Sequence, residues 1–350
     1  MFFLLSIIFL TRIYLIDPKT MIHPHALIYS SQEDITIGHL KQANYDPSID
    51  TTVVAHWMAN REISAVVEGE PDFPSKLYQI QSKPYIIYYQ GDISLLNKPI
   101  LGIVGPRKHS DFAKIMVQKV INQATHHDIV TISGLASGVD QLAHHYSLEN
   151  NIPTIAVLGG GFRHFLASKD REFIRRIVDQ GGLVISEFKL SQDPQSYTFP
   201  QRNRIIAGLA DVLFLPEASK NSGSLITVEF AQKLQKPIYG TPNFTSPSMS
   251  EGLHEQLQNG GMRALLNIPA MFKAHFSVPQ KSTGGGHISL LSSFDPDTQQ
   301  LLGSFQSHPS LTISSLLQQG FSQDKIYPAL ARLEMENIIH QPSPGTYALS

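Results

Sequence analysis

The chain has no cysteine among its 350 residues. That excludes disulfides, thiolate metal sites and cysteine nucleophiles, and it fits a reducing cytoplasm. Charged residues are scarce at 16% and apolar ones make up 42%, a balance that suits a soluble globular protein and not a disordered one. Two phosphate-binding signatures are missing. No G-x-x-x-x-G-K-[ST] occurs, which excludes a P-loop ATPase, and the first buried-looking strand leads into Gly102-Ile-Val-Gly105-Pro-Arg107 instead of G-x-G-x-x-G. The second ends in Ser133-Gly134, where a nicotinamide-binding fold places a ribose-binding Asp or Glu. Carboxylates do not cluster at metal-ligand spacing, which argues against a nuclease, and no cofactor is expected. Residues 1–10 are nearly all apolar, but a bilayer span takes about 20. No positive residue precedes that run and no small-residue cleavage site follows it, so neither a membrane span nor a signal peptide is expected. Met21 offers a second start and leaves open whether residues 1–20 are translated.

From Pro99 onward, short β-branched runs alternate with helix-length segments. The runs lie at 100–105, 129–134, 154–160, 183–187, 211–217 and 237–242. Such alternation predicts an α/β fold: an extended Rossmann-like, doubly wound and mostly parallel sheet. Ser110 is placed to cap the first helix, in which Phe112, Ile115, Met116 and Val120 form an apolar stripe. We assign this domain to residues 71–270, after an N-terminal segment (1–70). Pro279 and the run Gly284, Gly285, Gly286 mark residues 271–287 as a linker. Helical patterns at 297–306, 312–319 and 322–337, then a hairpin at 338–349, have the plan of a small C-terminal winged helix over residues 288–350. Residues 286–350 carry Lys325 and Arg332 against five acidic residues, which opposes a duplex-DNA backbone and favours a protein-contact or accessory role. Only residues 95–270 are net positive, with 17 basic against 14 acidic side chains.

The informative stretch is 198–227, TFPQRNRIIAGLADVLFLPEASKNSGSLIT. Arg202, Asn203 and Arg204 precede a buried strand. That strand leads into the small-residue loop Ser222-Gly223-Ser224, whose backbone N–H groups can converge on an anion. Gly105 and Arg107 after the first strand, and Ser133, Gly134 and Gly138 after the second, add further candidates for phosphate contact. Several phosphate cradles along one sheet edge suit a polymer better than one nucleotide. Each has a plainer rival. Arg202 and Arg204 could bond strand-end carbonyls or Glu187. Gly159-Gly160-Gly161 could be a sharp turn, and Tyr197 and Phe199 core. Asp140 and His144, four apart on a helix, fit a structural hydrogen bond better than metal binding. His126-His127 and His144-His145 read as surface and core histidines.

The motifs Ile103-Val-Gly-Pro-Arg107, Ser133-Gly-Leu-Ala-Ser-Gly-Val-Asp140 with Ala143-His144, and Thr154-Ile-Ala-Val-Leu-Gly159 resemble the DNA-processing protein A (DprA/Smf) family. So do Ser186-Glu187, Phe199-Pro-Gln-Arg-Asn-Arg-Ile-Ile-Ala207, Ser222-Gly-Ser-Leu-Ile-Thr227 and Ser250-Glu-Gly-Leu-His254. The resemblance spans residues 72–263 in order. It implies a homodimer that binds single-stranded DNA and helps load the RecA recombinase in natural transformation. Arg107, Arg202, Arg204 and the 133–138 and 222–224 loops would hold phosphates, and Phe199 a base. Three departures stand out: Pro106 for the usual Ser, Leu166-Ala167 for Tyr-Pro, and Arg163 where Asp is common. The N-terminal helical domain is shortened or diverged. The alternative is a Rossmann-like nucleotide phosphoribohydrolase, for which only Gly223 and Glu229 match the P-G-G-x-G-T-x-x-E window. Glu229 sits over a turn into the helix, poorly placed for glycosidic chemistry.

Overall fold

The structure is a computed structural model that describes residues 22–46, 48–276, 295–307, 310–335, 339–343 and 345–349. The expected second start at Met21, the segment before it and the glycine run 284–286 lie outside the described residues. The chain divides into two compact units, Met1–Val278 and Pro279–Ser350.

Nine strands build the first unit: β1 (Ile63–Val67), β2 (Ile86–Gly91), β3 (Ile100–Ile103), β4 (Val130–Ser133), β5 (Thr154–Val157), β6 (Leu183–Ser186), β7 (Val212–Leu215), β8 (Ile238–Gly240) and β9 (Arg263–Ala264). Their order is β1-β2-β6-β5-β4-β3-β7-β8-β9. Pairings from β6 through β9 are parallel, whereas β1–β2 and β2–β6 are antiparallel. Every residue of β3 to β8 is buried, as both faces of a parallel sheet must be under helices. The chain winds outward from β3 to β6 and returns to β7, so the order reverses between β3 and β7. In doubly wound sheets the crevice at the carboxyl ends of such a pair takes the ligand.

Helices α1 (Pro24–Ser31), α2 (Ile37–Lys41) and α3 (Thr52–Ala59) precede β1. Their apolar residues join the core beneath β1 and β2. The sheet domain therefore begins before the expected residue 71, because β1 is the edge strand of the main sheet. Helices α4 (Asp111–Ala124), α5 (Val139–Glu149), α6 (Phe162–Ala167), α7 (Arg171–Asp179), α8 (Thr198–Leu209), α9 (Ser224–Lys233), α10 (Pro247–Gln258) and α11 (Ile268–His275) follow. Ser110 caps α4 by accepting from the Ala113 N–H at 3.2 Å. The buried stripe of α4 is Ala113, Val117, Val120, Ile121 and Ala124, while Ile115 faces out. The sequence stripe was rotated about the helix axis, because alanine also counts toward a packed face. The expected linker at 271 begins too early. Met271, Phe272 and Phe276 are buried on the core beside α4, so apolar packing extends the domain through α11.

The second unit holds α12 (Pro296–Ser307), β10 (Ser310–Thr312), α13 (Ile313–Gln318), α14 (Gln323–Met335), β11 (Ile339–Ser343) and β12 (Thr346–Leu349). Its sheet has the order β10-β12-β11, all antiparallel. Leu301, Phe305, Leu316, Ile326, Leu330 and Leu333 form its own core.

Candidate nucleic-acid interface

Three loops meet where the strand order reverses. They follow β3, β4 and β7. Gly105 packs so closely on Val139 at the start of α5 that a Cβ there would lie 2.7 Å from that side chain. Gly138 has φ +87°, and a Cβ on it would sit 2.3 Å from the Pro106 carbonyl oxygen. The Val139 N–H donates to the same carbonyl at 3.2 Å. Both glycines therefore lock the β3 and β4 loops together. The Glu217 carboxylate, fully buried, accepts from the Ser110 N–H (2.9 Å) and hydroxyl (2.7 Å). It also meets the Asn243 amide at 3.5 Å, so one buried carboxylate ties the loops after β3, β7 and β8. Sequence reasoning missed Glu217, since a single carboxylate after a strand carries no pattern.

Between these loops lies a cleft of about 340 Å³, lined among others by Arg107, Phe199, Arg202, Asn203, Ser222 and Ser224. Arg107 and its neighbour Lys108 are exposed. The Arg107 guanidinium stands 5.2 Å from the centroid of the half-buried Phe199 ring. A cation over an aromatic face offers charge to a phosphate and a flat surface to a base. On the opposite wall the Ser222 and Ser224 hydroxyls share a hydrogen bond of 2.7 Å, and Gly223 between them is exposed. The Asn203 amide reaches the Gly223 carbonyl at 3.5 Å and joins α8 to that loop.

The two arginines of 198–227 do not act together. Both lie on α8, and residues two apart on a helix point to different faces. Arg202 lines the floor of the cleft but is buried. It donates to the Gly134 and Val157 carbonyls and to the Asn203 side chain. Burial lowers its pKa to about 10, opposed by the nearby Asp140 carboxylate, whose own pKa burial raises. Arg204 points away from the cleft. It makes a two-pronged ion pair with Glu187 and donates to the Ser82 carbonyl at 2.8 Å and the Gln201 carbonyl at 2.9 Å. The expected phosphate contact from Arg204 is thus replaced by the plainer reading, a buried pair with Glu187.

Ser133 and Gly134 are also corrected. The Ser133 hydroxyl is buried and donates to the Ile103 carbonyl at 2.6 Å. At Gly134 a Cβ would lie 2.2 Å from the Arg202 guanidinium, so glycine there makes room for that arginine. Gly138 serves loop packing. Gly159, Gly160 and Gly161 are buried against Phe199, Pro194 and the Lys189 carbonyl respectively, so this run lets loops close and does not cradle phosphate. His144 does not bond Asp140. Its Nδ1 pairs with the Thr154 hydroxyl at 2.7 Å, while Asp140 accepts from the Gly134 and Ala136 backbones. Tyr197, at 63% exposure, is not core. Glu229 is exposed and absent from the cleft lining, which leaves the hydrolase reading without its carboxylate. Among the described residues no His, Asp and Glu cluster could hold a metal, and no helix is long and apolar enough to cross a membrane.

A family model for DNA recombination-mediator protein A matches residues 64–275. The DNA processing protein DprA of Streptococcus pneumoniae is 36% identical over 188 residues, covering 54% of this chain and 66% of that protein. Protein Smf of Escherichia coli is 31% identical over 206 residues, covering 59% and 55%. The chain thus spans about half to two thirds of these relatives. Among solved structures, the S. pneumoniae protein gives a TM-score of 0.59 at 28% identity, covering 72% of this chain and 91% of that one. DNA processing protein A of Helicobacter pylori, described for its unique single-stranded DNA binding mode, gives 0.55 at 27%, covering 61% and 95%. The matched segment holds the whole parallel sheet and all three loops of the cleft, and on that ground the chain belongs to the DNA recombination-mediator protein A family.

Proposed function

We propose that the switch-point cleft binds single-stranded DNA. The observation that carries this is the exposed Arg107 guanidinium over the Phe199 ring, facing the Ser222-Gly223-Ser224 loop across an open cleft. These groups serve the backbone and base faces, with few side chains suited to reading base edges. The H. pylori relative supports the choice of strand. The family description as a recombination mediator supports the further reading that the bound strand is handed to RecA, in the cytoplasm, during DNA uptake. Titrating purified protein with single-stranded, duplex and mononucleotide ligands at several salt concentrations tests the core claim. Single strands should bind best, with a log–log salt slope of about −0.7 per phosphate contacted. A flat salt response or a preference for mononucleotide refutes it.

Two smaller predictions follow from the same geometry. Arg107→Ala should weaken single-strand binding by about 1–3 kcal/mol, the scale of a charge-assisted hydrogen bond. Its denaturant midpoint should not move, because Arg107 is exposed. We also read the second unit as a winged helix in an accessory role. Among its described residues the basic side chains are already engaged, Lys325 with Asp297 and Arg332 with Asp295. Deleting residues 286–350 should therefore change single-strand affinity by less than about tenfold, roughly 1.4 kcal/mol. A larger loss would show that this unit reads DNA.

A further inference from the structure

A second groove lies away from the switch point, between the end of α3 and helices α6 and α7. It measures about 520 Å³ and is larger than the cleft already described. Trp57, the chain's one tryptophan, forms part of its wall. The Arg61 guanidinium stands 4.5 Å from the Trp57 ring centroid and that of Arg163 stands 5.1 Å from it. Arg171 and Arg175 add two more guanidiniums. Two carboxylates, Glu62 and Asp179, also line the groove. Arg175 is taken up by Glu172 at 2.7 Å and Asp179 at 4.0 Å. Among the described residues, Arg61, Arg163 and Arg171 form no ion pair. The Arg163 Nε is buried there with no hydrogen-bond partner.

We propose that this groove is a second contact for single-stranded DNA, holding the strand after it leaves the switch-point cleft. The proposal rests on the single-strand reading above and extends it. Arg61 and Arg163 over the indole, with Arg171 on the same groove wall, supply what a flexible strand needs: charge for the backbone, though one Arg61 N–H already donates to the Trp57 carbonyl at 3.3 Å, and flat surfaces for the bases. The two sites are also neighbours along the chain. Gly159 touches Phe199 of the first cleft, and Arg163, four residues on, touches Trp57 of the second. Four residues reach at most about 14 Å. At the 3.4 Å rise of one duplex strand, about four nucleotides cover that distance, and fewer when drawn out. A shallower cleft lined by Arg163, Ser168 and Ser191 adjoins the groove, sharing Arg163 with it.

Part of the groove lies outside the matched family region. Trp57, Asn60, Arg61 and Glu62 precede residue 64, where the family match begins. Arg163 is one of the departures noted in the sequence. An acidic protein segment would meet the same charges, but a peptide carboxylate makes no use of the ring and guanidinium planes as stacking surfaces.

Trp57 makes the test direct, since all tryptophan emission comes from this groove. A thymidine dinucleotide, too short to reach from one site to the other, and an oligothymidylate of about 15 nucleotides, within the range of single-strand site sizes, serve as probes. Binding is followed in parallel by anisotropy of a labelled oligomer and by Trp57 emission. The longer oligomer should change the emission and the shorter one, seated on the Arg107–Phe199 cleft, should not. Arg171→Glu, at an exposed and unpaired position, should lower affinity for the longer oligomer by about fivefold or more and leave the shorter unchanged. Arg163→Ala should do the same if it folds, and the Arg171 variant keeps the test valid if it does not. Binding of the longer oligomer with unchanged emission, and wild-type affinity in Arg171→Glu, would overturn the proposal while the first cleft stands. Response to a polyglutamate peptide but not to DNA would overturn it in favour of an acidic protein partner. Absence of binding by both oligomers in anisotropy would instead bring down the single-strand reading itself.

Discussion

Replacing Arg204 by alanine is expected to lower the unfolding free energy by about 3–5 kcal/mol, the cost of stranding one member of a buried ion pair. Arg204 and Glu187 side chains are each only 7% exposed. Burial pushes the Glu187 pKa up and the guanidinium of Arg204 holds it down. Without Arg204, the carboxylate either stays charged in an apolar setting or takes up a proton, and the Ser82 and Gln201 carbonyls lose a donor. Single-strand affinity of the folded variant should change by less than about threefold, roughly 0.7 kcal/mol, since Arg204 does not line the cleft. Urea unfolding beside an anisotropy titration reads both quantities. A variant of wild-type stability that has lost binding would return Arg204 to the phosphate site. The double replacement Arg204→Leu with Glu187→Leu should recover much of the stability, because removing both charges leaves neither unpaired.

Arg202 and Arg204 show what sequence can and cannot settle. Six of the seven parallel strands were legible because strands buried on both faces are continuous apolar runs bounded by turn residues, whereas the two exposed residues of β9 carry no such run. The location of the site was legible for the same reason, as glycine- and serine-rich loops fell at strand ends. What each arginine does was not. The segment 198–227 does not announce that its first part is helix α8, and only the helical period reveals that residues 202 and 204 face apart. Glycine is ambiguous in a similar way. It admits a phosphate or a neighbouring chain with equal ease, and here Gly134 admits Arg202 while Gly159 admits Phe199. Exposed Arg107 needed no such partner, and the structure leaves it free to face the cleft. The edge strand β1 was missed because residues 63–67, ISAVV, are followed by no second strand until Ile86. Its partner β2 runs antiparallel, outside the β–α rhythm that located the other strands.

Acidification is expected to destabilise this protein through His144, by about 2 kcal/mol between pH 6.5 and 5, at about 1.4 kcal/mol per pH unit. His144 is fully buried under β4 and β5. Burial, and then the charge of Arg202, lower its pKa from 6.5 to about 3. Its Nδ1 already pairs with the Thr154 hydroxyl, which itself accepts from Thr131 at 2.8 Å. The unfolded chain therefore binds a proton on this residue below about pH 6.5, while the folded chain refuses it until about pH 3. Proton uptake by the unfolded state favours unfolding, so the stability is fully present above pH 6.5 and is lost as pH falls through that window. His127 and His275, also lowered by burial, push the same way, whereas the raised Asp140 and Glu187 push the other. The difference between wild type and His144→Gln removes these shared contributions. Glutamine keeps a polar group near Thr154 and cannot titrate. Urea unfolding of both proteins at pH 7.5, 6.5, 5.5 and 5.0 should show the wild type losing stability faster by about 2 kcal/mol over the lower range. Parallel pH profiles would mean that His144 takes up its proton equally in both states, and that water reaches the space between α5 and the sheet.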